Sequence, residues 1–93
     1  PIYIMLSTLT DEGRKTIKKH PERIEGVNRE IELMGGNVLA QYAVLGQYDF
    51  VSIIDAPNNE AIAKISIEFG SRGTVSIVTI PAIPVDEFID KMK

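Results

Sequence analysis

Cysteine is absent from the 93-residue sequence, and so is tryptophan. The first absence excludes disulfides, thiolate nucleophiles and cysteine metal sites, and leaves nothing that points to secretion. The one histidine, His20, stands alone before Pro21. A zinc site would then need carboxylates almost exclusively, so no metal is expected. No apolar run approaches the ~20 residues of a membrane span, and no signal peptide opens the sequence. A cytoplasmic location with no membrane role is therefore expected. The net charge is −3, which offers no general attraction to nucleic acid or anionic lipid. Ser7, Ser52 and His20 show no nucleophile spacing, and Gly70–Gly73 is too short for a phosphate loop, so no cofactor is expected.

What remains is the composition of a folded domain, 44% apolar and 25% charged. One domain over residues 1–93 is expected, small enough that self-association would add to a thin core. Ile2–Leu9, rich in β-branched and aromatic residues, predicts a strand. Thr10 offers an N-cap, and Pro21 divides the helical region that follows. Ile24, Val27, Ile31 and Met34 recur at helical spacing until Gly35-Gly36. Asn37–Leu45 and Tyr48–Ala56 predict two strands joined at Gly46-Gln47 by a type II′ turn, with Gly46 supplying positive φ. In that register Leu45 faces Tyr48, Ala43 faces Phe50 and Gln41 faces Ser52. Asn58 caps a helix through Phe69 whose stripe is Ile62, Ile65 and Phe69. Thr74–Pro81 predicts a last strand, and Val85, Phe88 and Ile89 predict a short terminal helix facing inward. The order β-α-β-β-α-β plus a helix implies an α+β, ferredoxin-like sandwich with one antiparallel sheet.

Both faces of that sheet are largely apolar. One carries Ile4, Leu6, Val38, Ala40, Tyr42, Val44, Asp49, Val51 and Ile53, and the other Tyr3, Met5, Leu9, Leu39, Gln41, Ala43, Leu45, Tyr48, Phe50, Ser52 and Ile54. All ten Lys and Arg lie outside the predicted strands. Helices cover one face only, so the second is expected to meet another copy of the chain. The favoured arrangement places Tyr3, Met5, Leu39, Ala43, Phe50 and Ile54 in that interface; exchanging the faces is the alternative.

Several residues invite functional readings. Tyr3, Tyr48 and Phe50 resemble the base-stacking aromatics of the RNA-recognition motif. However, Gln47 and Asp49 break its pattern, and no basic residue accompanies the aromatics, so no nucleic acid is expected. Pro1 faintly resembles the catalytic terminus of tautomerases, which are usually shorter β-α-β chains. Asp49, a carboxylate on a mostly apolar face, needs a partner. It caps a backbone group, pairs with Arg72, or holds a ligand. A pocket between sheet and helices near Tyr42, Asp49 and the Arg72 loop is expected, with Gly46 and Tyr48 beside it.

"LGQYDFVSIIDAPNNE" and "GSRGTVSIVTIPAIP", with "MLSTLTDEG" and "GGNVLAQYAVLGQYD", resemble the GYD-domain family across almost the whole chain. The signature falls on Gly46, Tyr48 and Asp49. The resemblance implies a ferredoxin-like fold of the dimeric α/β-barrel kind, two sheets packed face to face. The family's biochemical role is largely unassigned. The expectation is a homo-oligomeric module that binds a small molecule or serves regulation or assembly. The alternative is a cofactor-independent enzyme with Asp49 as acid or base.

Overall fold

The computed structural model describes residues 1–93. The chain runs β1 (Ile2–Leu9), α1 (Asp11–Lys19), α2 (Arg23–Leu33), β2 (Asn37–Ala43), β3 (Phe50–Asp55), α3 (Asn59–Gly70), β4 (Val75–Ala82) and α4 (Val85–Met92). The four strands form one sheet in the order β2-β3-β1-β4, with every neighbouring pair antiparallel. The α+β order with an antiparallel sheet is thus as the sequence implies. The barrel is not. The sheet is open, with β2 and β4 as two unpaired edges. A barrel requires a sheet to close on itself through its edges. The dimeric α/β-barrel description implied by the family resemblance is therefore corrected to an open four-stranded sheet.

Local chemistry explains the element boundaries. Thr10 Oγ1 accepts from the Gly13 N–H at 3.1 Å and caps α1, with Asp11 and Glu12 in its first turn and Lys18 and Lys19 in its last. Thr10 also binds the far end of the chain. Its N–H donates to Thr74 O at 3.0 Å and its hydroxyl to Gly73 O at 2.8 Å. Here the chain needs glycine: a Cβ on Gly13 would lie 2.0 Å from Thr74 O. Pro21 falls in the break between α1 and α2. Gly35, at φ 94°, takes the left-handed conformation just past the end of α2. Asn58 Oδ1 caps α3 by accepting from Ala61 N–H at 2.9 Å. No helix is long and apolar enough to cross a membrane.

The core lies between the sheet and the helices. It comprises Tyr3, Met5, Ile31, Ile54, Ala56, Ile62, Ile65 and Phe69, with Val27, Met34, Val38, Val75 and Ile77 packed against it. Only 11 of 93 residues are buried, so a single layer of packing carries the domain. Residues paired across antiparallel strands share a face. Tyr3↔Ile54, Met5↔Ser52 and Ala43↔Phe50 therefore belong to the helix-covered side, and Ile4↔Ile53, Leu6↔Val51 and Tyr42↔Val51 to the other. A register shift between Val38 and Ala40 bulges Leu39 outward and moves Val38 onto the helix-covered side.

Two expectations fail for physical reasons. The favoured interface face is the covered one: Tyr3, Met5 and Ile54 are 2%, 4% and 0% exposed under their own helices. Helix α4 does not face inward. All its residues are exposed, including Val85, Phe88, Ile89 and Met92. It continues from β4 past Ile83 and Pro84, in a molecule 50 Å along its longest axis.

Candidate functional site

A cavity of about 140 Å³ lies between the sheet and the α1–α2 pair. Met5, Ser7, Phe50 and Ser52 line it from the sheet, Ile17, Ile24 and Val27 from the helices, and Arg23 and Arg72 reach it with their side chains. Its polar wall is a short chain of hydrogen bonds. Asn28 Nδ2 donates to Gln41 Oε1 at 2.8 Å, and Gln41 Nε2 donates to Asn28 Oδ1 at 3.2 Å and to Ser52 Oγ at 3.0 Å. Gln41 and Ser52 are register partners on β2 and β3, and Asn28 reaches them from α2. Inside a low-dielectric layer such a network tolerates burial because its members satisfy one another.

Arg72 is committed elsewhere in charge. Its guanidinium donates to both Glu30 carboxylate oxygens, at 2.9 and 3.0 Å, and lies 4.6 Å above the Phe69 ring. Glu68 stands 3.9 Å away. These hydrogen bonds hold the Glu30 carboxyl below its ordinary value and push Arg72 further up. The pair ties the α3–β4 turn to α2.

Asp49 is held by backbone. Its Oδ2 accepts from Leu9 N–H at 2.7 Å, its own N–H donates to Ser7 O at 2.8 Å, and its carbonyl accepts from Val44 N–H at 2.9 Å. The carboxylate staples the β2–β3 loop to the end of β1. It does not line the cavity, and its partner is not Arg72. Of the remaining candidates, Tyr42 stands 62% exposed on the uncovered sheet face. Tyr48 is half-buried in the loop, and Gly46 is exposed there without positive φ. So Tyr42, Gly46, Tyr48, Asp49 and Arg72 do not converge on one pocket; only Arg72 reaches the cavity. Phe50 lines it, Ala43 is exposed at the end of β2, and Leu39 stands out at the bulge.

Sequence reasoning missed Asn28, Ser52 and Glu30 as site residues. Gln41 opposite Ser52 on an otherwise apolar face was a readable signal. Glu30 with Arg72 carried none, being 42 positions apart.

The other side of the sheet has no helix over it. Ile2, Ile4, Leu6, Ala40, Tyr42, Val51, Ile53, Val78 and Ile80 form an apolar field, with Val78 46% and Ile80 43% exposed on β4. This field and the exposed Val85, Phe88, Ile89 and Met92 of α4 leave apolar surface uncovered, of the kind that marks interaction surfaces.

The family model described as GYD domain matches residues 3–92. A Thermus thermophilus protein named "Glutamine synthetase and cystathionine beta-lyase binding protein" is 48% identical over 94 residues, covering 100% of this chain and 99% of that one.

Proposed function

The chain belongs to the GYD-domain family, and on that premise we propose that it is a self-associating, protein-binding module whose partner is a metabolic enzyme. It is related over its full length to a protein named for binding glutamine synthetase and cystathionine β-lyase. That likeness carries the reading, and the same two enzymes of the chain's own cell are the partners it would hold. The surfaces are consistent with it. The uncovered sheet face is apolar on β1, β3 and β4 and suits a second copy of the same chain. The exposed stripe Val85, Phe88, Ile89 and Met92 of α4 suits a groove on a larger partner. The small-molecule role expected from the sequence moves to the cavity. The catalytic alternative has less support, because Asp49 spends one carboxylate oxygen on Leu9 N–H and does not line that cavity.

Purified glutamine synthetase and cystathionine β-lyase provide the test. Stoichiometric co-elution with at least one of them is expected in size-exclusion chromatography with light scattering, and Phe88→Asp should abolish it while leaving the chain folded. Failure to bind either enzyme at tens of micromolar removes the reading. Self-association is tested separately by sedimentation. Val78→Asp places a charge in the uncovered face and should shift the species toward monomer. An unchanged sedimentation coefficient would assign that face to something other than a second copy.

A further inference from the structure

The β4 edge of the sheet leaves backbone groups unpaired, and the register says which. Thr10 N–H donates to Thr74 O, one step beyond the last β1–β4 pair, Leu9↔Val75. Bonded pairs alternate along an antiparallel ladder, so Thr8↔Ser76, Leu6↔Val78 and Ile4↔Ile80 carry the bonds to β1. The other side of β1 agrees, since Pro1 O and Ser7 O accept from Ala56 and Asp49 on the β3 side. Val75, Ile77 and Thr79 therefore turn their N–H and C=O groups away from the sheet. Pro81 shares that outward parity, where its missing N–H costs no ladder bond. Edges are ordinarily guarded by charges or bulges. Strand β2 has its bulge at Leu39, whereas β4 runs in unbroken register without a charged side chain. Helix α3 leaves apolar surface beside this edge. Ser66 Oγ lies 2.7 Å from Thr79 Oγ1, so that line of the helix stands over β4. At ~100° per residue, the buried Ile62, Ile65 and Phe69 fall to one side of Ser66. Ile67, 73% exposed, falls to the other, beyond the edge strand.

We propose that β4 pairs antiparallel with β4 of a second copy, about a two-fold axis at Ile77, joining two sheets into one. Val75 of each copy then faces Thr79 of the other, Ile77 faces Ile77, and every facing pair exchanges both its bonds. The strand is in this sense its own complement, which is what a two-fold contact requires. An axis at Val78 would set Pro81 opposite Val75 and leave the Val75 carbonyl without a donor. The helices fit the same axis. Helix α3 lies over β1 and β4, which Tyr3 to Asn59 and Ser66 to Thr79 mark. With strands ~4.8 Å apart, it comes about 10 Å from α3 of the second copy, an ordinary spacing for packed helices. Ile67 then lies in the seam. The joint uses neither α4 nor the uncovered sheet face, so it stands or falls separately from enzyme docking and from a contact through that face.

Amide hydrogen exchange on the unaltered, ¹⁵N-labelled chain tests the pairing. Val75, Ile77 and Thr79 should exchange within about thirtyfold of Ser76 and Val78, whose bonds go to β1. Faster exchange than that marks a free edge and overturns the proposal. Cross-linking tests the axis, and a sequence without cysteine gives it a clean background. Across the joint Ser76 faces Val78 as a non-hydrogen-bonded pair, at ~4.5 Å between Cα atoms and within disulfide reach. Under mild oxidation, co-expressed Ser76→Cys and Val78→Cys chains should cross-link at least about tenfold faster than either chain alone. Equal rates overturn pairing with a second copy about Ile77.

Discussion

Removing the Asp49 carboxylate should destabilise the fold rather than empty a site. The structure gives the carboxylate one partner, Leu9 N–H at 2.7 Å, in a part-buried setting at the end of β1. A hydrogen bond to an ionised acceptor contributes ~1.5–3 kcal/mol. Leu9 and Asp49 are only half-buried, so water repairs part of the loss in Asp49→Ala. The expected cost therefore sits at the low end, about 1.5–2 kcal/mol. For a domain of this size each kcal/mol moves the midpoint by roughly 4–8 °C, so Asp49→Ala should melt roughly 6–16 °C below the parent. Asp49→Asn keeps an oxygen acceptor but no charge and should lose about half as much. Thermal unfolding followed by far-ultraviolet circular dichroism measures both. Protein concentration must be fixed, because an associating chain melts at a concentration-dependent temperature. Melting within a degree of the parent for both variants would refute the staple. Unchanged melting with lost partner or ligand binding would return Asp49 to the role of site residue.

Two further outcomes follow from the packing and the ion pair. Gly13→Ala places a methyl 2.0 Å from Thr74 O, where α1 must move off the start of β4, and should cost ~2–3 kcal/mol in urea denaturation; a loss under 0.5 kcal/mol would mean that the helix gives way freely. Glu30→Gln should lower stability at neutral pH and have a vanishing effect in acid. Its folded carboxyl is held below the ordinary 4.5 by Arg72. A depressed carboxyl contributes its stabilisation above the unfolded-state value and loses it as pH falls through the folded one. Urea midpoints of parent and variant should therefore converge below pH 4.5, and a gap constant from neutral to acid pH would refute the linkage.

Register and element order were legible in the sequence because they depend on local chemistry. Alternation of side chains along β2 and β3 places Ala43 opposite Phe50 and Gln41 opposite Ser52, and the pairing is as read. The β2–β3 turn was not legible. A two-residue hairpin at Gly46-Gln47 fits the sequence, yet β2 stops at Ala43 and β3 starts at Phe50. Asp49 accepts at its carbonyl from Val44 N–H, one rung beyond Ala43–Phe50, but its own N–H donates to Ser7 O and its carboxylate accepts from Leu9 N–H, so at Asp49 the chain is tied to β1 and the residues from Leu45 to Tyr48 form a loop rather than a two-residue turn. The contacts with β1 join residues about 40 positions apart, and no local pattern encodes them.

The covered face was illegible for a different reason. Alternation says which residues share a face and never which face the helices choose. When both faces are apolar, hydropathy cannot break the tie. Three-dimensional contacts break it here. Gly13 fits against Thr74 only with α1 close to the β4 entry, Tyr3 donates its hydroxyl to Asn59 at the start of α3, and the bulge turns Val38 beneath the helices. One sequence clue did point to the right side. Gln41 and Ser52 oppose each other in the middle of the apolar face that carries Phe50 and Ile54. A polar pair there is costly under a helix unless a third group joins it, and Asn28 does so from α2. On a face packed flat against another sheet no helix could have brought such a group, so the polar pair favours the helix side.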